Sequence, residues 1–320
     1  TPTSRPLPDK MRRKHARALA AALLALLLLA FGALGWARAQ KLRRQAAQAG
    51  IWQAGGHWGE ALKGGGAESG EKFARKLLEL RAAQFPGAEH VSCALIPDKG
   101  YYLQGQGAPE YDYQALFSAV QQGLAGSGVA WVDLSGALSA SDYYTTDSHW
   151  RQERLQPVLD ALGASLGFSV SLGDFQPNSV QGFVGAYGKY GAKPAEELVY
   201  LTSPATGAAV ADNFQHPEST AVYDLSRLKS EVPYDVFLAG ATPLVTITNQ
   251  AAASARELVI FRDSYASSLA PLLVGEYRTI TLVDIRYMAS GLVPQYVDFT
   301  GKDVLFLYSV FVADQSAMLR

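Results

Sequence analysis

Leu258-Val-Ile-Phe-Arg-Asp-Ser-Tyr-Ala-Ser-Ser-Leu269 changes its hydrophobic pattern in mid-stretch. Four consecutive apolar residues, 258–261, have the continuity of a strand buried on both faces. Arg262 and Asp263 make a turn, and Ser264 opens a helix running toward Leu273. A strand that yields to a helix within a few residues is the unit from which open α/β sheets are built. It sets a serine at the carboxyl edge of the sheet, where such folds place their ligands. Backbone N–H groups of the first helical turn would then be available to an oxyanion. Ser264 and Asp263 also have a purely structural reading, because both residue types are common helix N-caps and Asp263 suits a helix start by charge.

The alternation extends outward from this stretch. Residues 278–285 and 303–308 follow it as short β-branched or aromatic runs, and 91–96, 129–134, 234–239 and 244–248 precede it. Helical spacing over 71–83 puts Phe73, Leu77 and Leu80 on one face. Residues 113–124 form a second helix candidate. Residues 151–166 form a third, with Leu155, Val158, Leu159, Leu162 and Leu166 on its apolar face. These elements predict an α/β domain over 70–320 whose central sheet is mainly parallel and flanked by helices. Within it, the Gly- and Tyr-rich stretch 173–230 is expected to be an irregular insertion that shapes a surface groove.

Residues 18–37, ALAAALLALLLLAFGALGWA, carry no charge over 20 positions. As a helix they span about 30 Å, the thickness of a bilayer's hydrocarbon core. Arg5, Lys10, Arg12, Arg13, Lys14 and Arg17 precede them; Arg38, Lys41, Arg43 and Arg44 follow. The basic excess predicts a cytoplasmic tail over 1–17, a membrane anchor over 18–37 and an extracytoplasmic remainder. Ala37-Arg38-Ala39 has the small-x-small form of a processing site, so secretion after cleavage is the alternative. The length of the apolar run and the Arg inside that site favour the anchor. Gly50, Gly55, Gly56, Gly59 and the glycines at 64–66 predict a flexible stalk over 38–69.

Composition narrows the function classes. A chain of 320 residues buries about 75% of its unfolded surface, so no disulfide or metal scaffold is required. A net charge of −1 gives no cationic field for nucleic acid. Cys93, the single cysteine, rules out an internal disulfide and a Cys-rich zinc site; its apolar surroundings make it a core residue. No second cluster of ligand-type residues accompanies the Asp-x-His described next, so neither a metal nor another cofactor is expected.

Of five histidines (His15, His57, His90, His149 and His216), only His149 has a chemical context. It ends Tyr143-Tyr-Thr-Thr-Asp-Ser-His149 and is followed by Trp150. In an extended segment, residues i and i+2 share a side about 6.5–7 Å apart. Asp147 could then hold the Nδ1 proton of His149 and leave Nε2 as a base. Asp-x-His alone is common, and an exposed or helix-capping pair is the plainer reading.

The stretches 94–99, 132–134, 144–150, 234–240, 260–265 and 282–287, in this order, carry a family likeness. On them the chain resembles the DHHW-type proteins, named for an Asp-His-His-Trp motif. At longer range it is similar to alginate O-acetylation proteins that carry an SGNH-hydrolase-like domain. The resemblance implies a flavodoxin-like SGNH fold with Ser264 as nucleophile, His149 as base and Asp147 as its orienting acid. It implies O-acetyl transfer to a polysaccharide outside the cytoplasm, the acetyl group arriving from a membrane-bound O-acyltransferase. An acetylesterase using the same residues and a non-catalytic glycan-binding protein are the alternatives. Ser148 replaces the first His of the motif, and Arg262 stands where many SGNH enzymes have Gly, which could alter access to the site. Trp150 either packs under His149 or lines the groove. Tyr265, Arg262 and Tyr187 are further candidates for substrate contact, and Tyr187, Tyr190, Tyr200 and Tyr223 could offer stacking surfaces to a glycan.

Overall fold

The computed structural model describes residues 9–88 and 90–320, which form two units. The first comprises residues 9–49 and 189–191. Its helix α1, Asp9–Gln48, is unbroken over 40 residues, and from Ala18 onward it is long and apolar enough to cross a membrane. Residues 1–8 of the expected basic tail lie outside the described residues.

The second unit comprises residues 50–188 and 192–320. A hairpin, β1 (Ile51–Ala54) and β2 (His57–Glu60), opens it. Then come α2 (Ala67–Gln84), β3 (Val91–Ile96), α3 (Lys99–Leu103), α4 (Tyr113–Leu124), β4 (Val129–Val132) and α5 (Gln156–Leu166). The middle of the chain holds β5 (Gln176–Phe183), β6 (Glu196–Thr202), α6 (Pro204–Ala208), β7 (Val210–Asn213) and β8 (Leu244–Thr248). The last part is β9 (Glu257–Arg262), α7 (Ala266–Leu273), β10 (Thr279–Val283), β11 (Asp303–Ser309) and α8 (Val310–Asp314).

Seven strands form one sheet in the order β4-β3-β11-β9-β10-β8-β7. The block from β4 to β10 is parallel, whereas β8 and β7 are antiparallel to their neighbours. The sheet is therefore mixed, not simply parallel. Side-chain alternation explains the unbroken apolar runs. Val259 and Phe261 of β9 pack with Phe73 and Leu77 of α2 and Leu116 and Val120 of α4. Leu258 and Ile260 face the other layer, with Val158 and Leu162 of α5 and Leu269 of α7. A strand buried on both sides has no polar face to show, so its sequence reads as continuous hydrophobicity.

Three expectations are corrected. The stalk over 38–69 is not flexible chain: residues up to 48 continue α1, and 51–60 form the hairpin. The hairpin's Trp58 N–H donates to the Thr145 carbonyl at 2.9 Å, and the N–H groups of Lys63 and Gly64 donate to the Asp314 carboxylate at 2.8 and 2.9 Å. Glycines that look like linker residues here serve tight turns. Second, 173–230 contains a β5–β6 antiparallel pair and supplies the edge strand β7. Third, 234–239 is not a strand. Pro233 starts a 3-10 turn, Pro233–Val236, and Leu238 and Ala239 both adopt left-handed backbone at φ 56° and 57°. Val236, Phe237 and Leu238 are buried, so tertiary packing overrides their strand propensity.

The hairpin anchors yield a stability prediction. A chain begun at residue 50 should melt like the intact unit, whereas one begun at residue 70 forfeits these bonds to Thr145 and Asp314. At about 1–2 kcal/mol each, its Tm should fall by on the order of 10 °C, as read by circular dichroism. Equal melting of the two fragments would make the hairpin an ornament.

Candidate active site

Ser264 and Lys99 follow the carboxyl ends of parallel strands β9 and β3, and long loops bring the other site residues to them. Arg262 ends β9, and Asp263 turns the chain into α7. The Asp263 carboxylate is fully committed to that turn: it accepts the Tyr265 N–H at 3.1 Å and, from the end of β11, the Ser309 N–H at 2.7 Å. The N–H groups of Ala266 and Ser267 donate to the carbonyls of Asp263 and Ser264. The expectation that these helix amides serve an oxyanion is thereby corrected. Among the described residues, no hydrogen-bond acceptor is seen for the Ser264 N–H. The Ser264 side chain is half-buried, and its Oγ lies 2.7 Å from His149 Nε2.

His149 comes from the long connection after β4. Its loop is closed by an antiparallel bridge between Tyr143 and Trp150, with Tyr144 N–H donating to the His149 carbonyl at 3.1 Å. The segment is not extended, as the spacing argument assumed. Asp147 instead makes a turn in which Oδ1 accepts both the His149 N–H at 3.0 Å and the ring Nδ1 at 2.5 Å. Oδ2 accepts the Ala186 N–H at 2.7 Å. Burial pushes the Asp147 carboxyl up, but the charge and hydrogen bonds of His149 and the Ala186 N–H outweigh it, giving about 2. Tyr234 stacks on the imidazole at 3.8 Å between ring centroids, and Tyr265 flanks it at 5.0 Å. Ser264, His149 and Asp147 thus form one hydrogen-bonded line, with Ser264 and His149 115 residues apart in sequence.

Residues to which the sequence assigned no role hold this line in place. Lys99, at the start of α3, is 2% exposed and donates to the carbonyls of Tyr144 at 2.8 Å, Asp147 at 2.6 Å and Thr145 at 3.5 Å. Glu196 of β6 accepts the Thr145 and Thr146 N–H groups, both at 2.8 Å, and pairs with Arg151 at 2.6 Å. Asp235, beside the site, has its carboxyl pushed up by burial against the opposing pull of His149. The Gly-rich stretch 182–188 marks where backbone passes close to Asp147. A Cβ on Gly185 would sit 2.3 Å from the Asp147 Cβ and 2.4 Å from its Oδ2. Gly185→Val should therefore displace Asp147 and cut turnover by about 100-fold with the fold retained, checked by kcat and circular dichroism together.

The four candidates for substrate contact lie inside the protein. Trp150 is fully buried and donates its indole N–H to Ser268 Oγ at 2.8 Å, so it packs and does not line a groove. Arg262 is fully buried; its guanidinium donates to Ser267 Oγ at 3.1 Å and to the carbonyls of Asp263 and Thr242. Tyr265 donates its hydroxyl to the Ser148 carbonyl at 2.6 Å. Tyr187 is buried beside Lys99, with its N–H on the Thr146 carbonyl at 3.0 Å. Tyr223 is buried as well, and Tyr200 packs on it. The exposed rings of this unit are Phe214, Tyr287 and Tyr296, which the pattern of tyrosines in 173–230 did not indicate. Among the described residues no cluster of ligating side chains suits a metal ion.

No protein-family model and no curated protein matches the sequence. Solved structures do. A DHHW family protein from Eubacterium siraeum is 23% identical, with a TM-score of 0.66 over 82% of this chain and 91% of that one. Bacillus cereus PatB1 is 17% identical, with a TM-score of 0.63 over 82% and 96%. The same PatB1 has been solved with a sulfonyl adduct, at a TM-score of 0.61 and 16% identity over 82% and 97%. The O-acetyltransferase domain of Pseudomonas putida AlgJ and Pseudomonas aeruginosa AlgX also match, at TM-scores of 0.46 and 0.44, too low to bear on the present site. At these identities the likeness establishes the fold.

Proposed function

We propose that this chain transfers an acyl group, acetyl in the first instance, between oxygen atoms through an acyl-Ser264 intermediate. One observation carries the reading: Ser264 Oγ, His149 Nε2, His149 Nδ1 and Asp147 Oδ1 lie in an unbroken hydrogen-bonded line at the carboxyl edge of the sheet. The Ser264 oxygen attacks the ester carbonyl carbon while its proton passes to His149 Nε2. The Ser264 N–H would serve as donor to the developing oxyanion, and the ionised Asp147 stabilises the imidazolium. His149 then gives its proton to the departing oxygen as the ester C–O bond breaks. An acceptor hydroxyl loses its proton to His149, attacks the acyl-serine and restores Ser264.

The acceptor we infer is a polysaccharide outside the cytoplasm, as the family resemblance implies. The exposed rings of Phe214, after β7, and Tyr287, after β10, stand at the same edge as Ser264 and suit contact with sugar faces. Helix α1 would keep the chain at the membrane, near a donor delivered by a membrane-bound O-acyltransferase. Transfer and hydrolysis separate by product. The full chain in detergent micelles, given 4-nitrophenyl acetate and short glycan acceptors, should release nitrophenol faster with an acceptor and yield acetylated glycan. Free acetate alone would assign an esterase. No turnover in wild type would favour the glycan-binding alternative.

A further inference from the structure

We propose that Lys99 is a positioning residue for acyl transfer: its buried ammonium gathers the carbonyls of Tyr144, Thr145 and Asp147, and so fixes the loop that aims Asp147 and His149 at Ser264. The inference rests on the acyl-transfer reading above. Lys99 follows β3, two strands from β9, yet its side chain ends beneath the 144–149 loop. Its three donor contacts all reach backbone oxygens of that one loop, at 2.6 to 3.5 Å. Two of the three acceptors belong to residues before Asp147, and the third is the Asp147 carbonyl itself. The loop therefore curls around the cation.

An ammonium in this position does two things. It neutralises converging carbonyl dipoles that would otherwise repel one another in a site closed to water. It also places positive charge next to the Asp147 carboxylate, which must stay ionised to hold the His149 ring. The surrounding groups define its charge state. Asp147 on the loop, Glu196 on β6 and Asp98 on its own segment favour the cation; Arg151 opposes it. His57 on the hairpin lies within its field, and the Tyr187 ring lies 5.3 Å from Nζ. Burial is the largest influence and draws Lys99 down to about 7. The cation is thus costly to keep, which a residue that merely fills space would not require.

The test uses the full chain in detergent micelles with two probes. Phenylmethanesulfonyl fluoride reports Ser264 nucleophilicity by intact mass, and 4-nitrophenyl acetate reports kcat and KM. Lys99→Met keeps the volume and removes the charge; it should lower the sulfonylation rate and kcat by about 100-fold while KM holds. Lys99→Ala should fall as far and recover about tenfold with added propylammonium but not with 1-propanol. Wild-type kcat in Lys99→Met, or an effect confined to KM, would overturn the assignment. So would unfolding of both variants, which would make Lys99 a scaffold residue. Recovery by propanol equal to that by the amine would overturn the role of charge. A wild-type chain that never acquires a Ser264 adduct fails earlier, removing the nucleophile and this inference with it.

Discussion

Ser264→Ala is expected to abolish the covalent acyl-enzyme and lower turnover of 4-nitrophenyl acetate by on the order of 10⁴- to 10⁶-fold. The size follows from the role. The nucleophile and base act as a unit, so removing the oxygen removes covalent catalysis altogether and leaves only binding and oxyanion stabilisation. The structure predicts that folding is spared. Ser264 is half-buried, its side chain has one hydrogen bond, to His149, and the turn is held by Asp263 instead. Pre-steady-state release of nitrophenol, intact mass and a thermal melt check the three parts together. A variant within tenfold of wild type would place the nucleophile elsewhere.

Asp147→Asn is expected to cost about 10⁴-fold in kcat with KM little changed. An amide is nearly the size of the carboxylate, so the loop should keep its path. It cannot stabilise an imidazolium, and it allows the tautomer of His149 that presents N–H, not a lone pair, to Ser264. The same substitution has a signature in stability. The Asp147 carboxyl drops from an ordinary 3.8 to about 2 in the folded protein. A group lowered in this way stabilises the fold above its unfolded value and ceases to do so as pH falls through the folded one. Near neutral pH the contribution is about 2 kcal/mol, and it should vanish between roughly pH 4 and pH 2. In a series of acid melts, wild type should lose this increment and Asp147→Asn should not. Parallel acid profiles would mean that Asp147 is not ionised against His149.

The two variants probe different levels of the sequence. The serine was legible because its signal is local: an apolar run, a two-residue turn and a helix within a dozen positions. The strands at 91–96 and 244–248 and the helix at 113–124 were legible for the same reason, since each buries a face or both faces and its composition records that burial. Asp147 and His149 were found by spacing, though by a geometry the loop does not adopt. The contact survives because an Asx-type turn brings i and i+2 together as readily as a strand face does.

What eluded the pattern was set by partners far along the chain. Lys99 reads as an ordinary polar residue after a strand, and only the arrival of 144–149 above it makes it an internal cation. Arg262 and Tyr187 read as groove residues because cationic and aromatic side chains suit ligands, and Trp150 reads as either packing or groove; packing encloses all three. Glycines at 50–66 read as a linker until Thr145 and Asp314 are seen to hold the hairpin and its exit. By itself, the sequence determined the apolar N-terminal helix, the α/β alternation and the two segments that carry Ser264 and His149. Each of these is written in short-range periodicity. The tertiary structure alone decided the antiparallel edge of the sheet, the 2.7 Å approach of His149 to Ser264 and the buried groups that support it. Those depend on which distant surfaces meet, and a residue's neighbours in sequence carry no record of that.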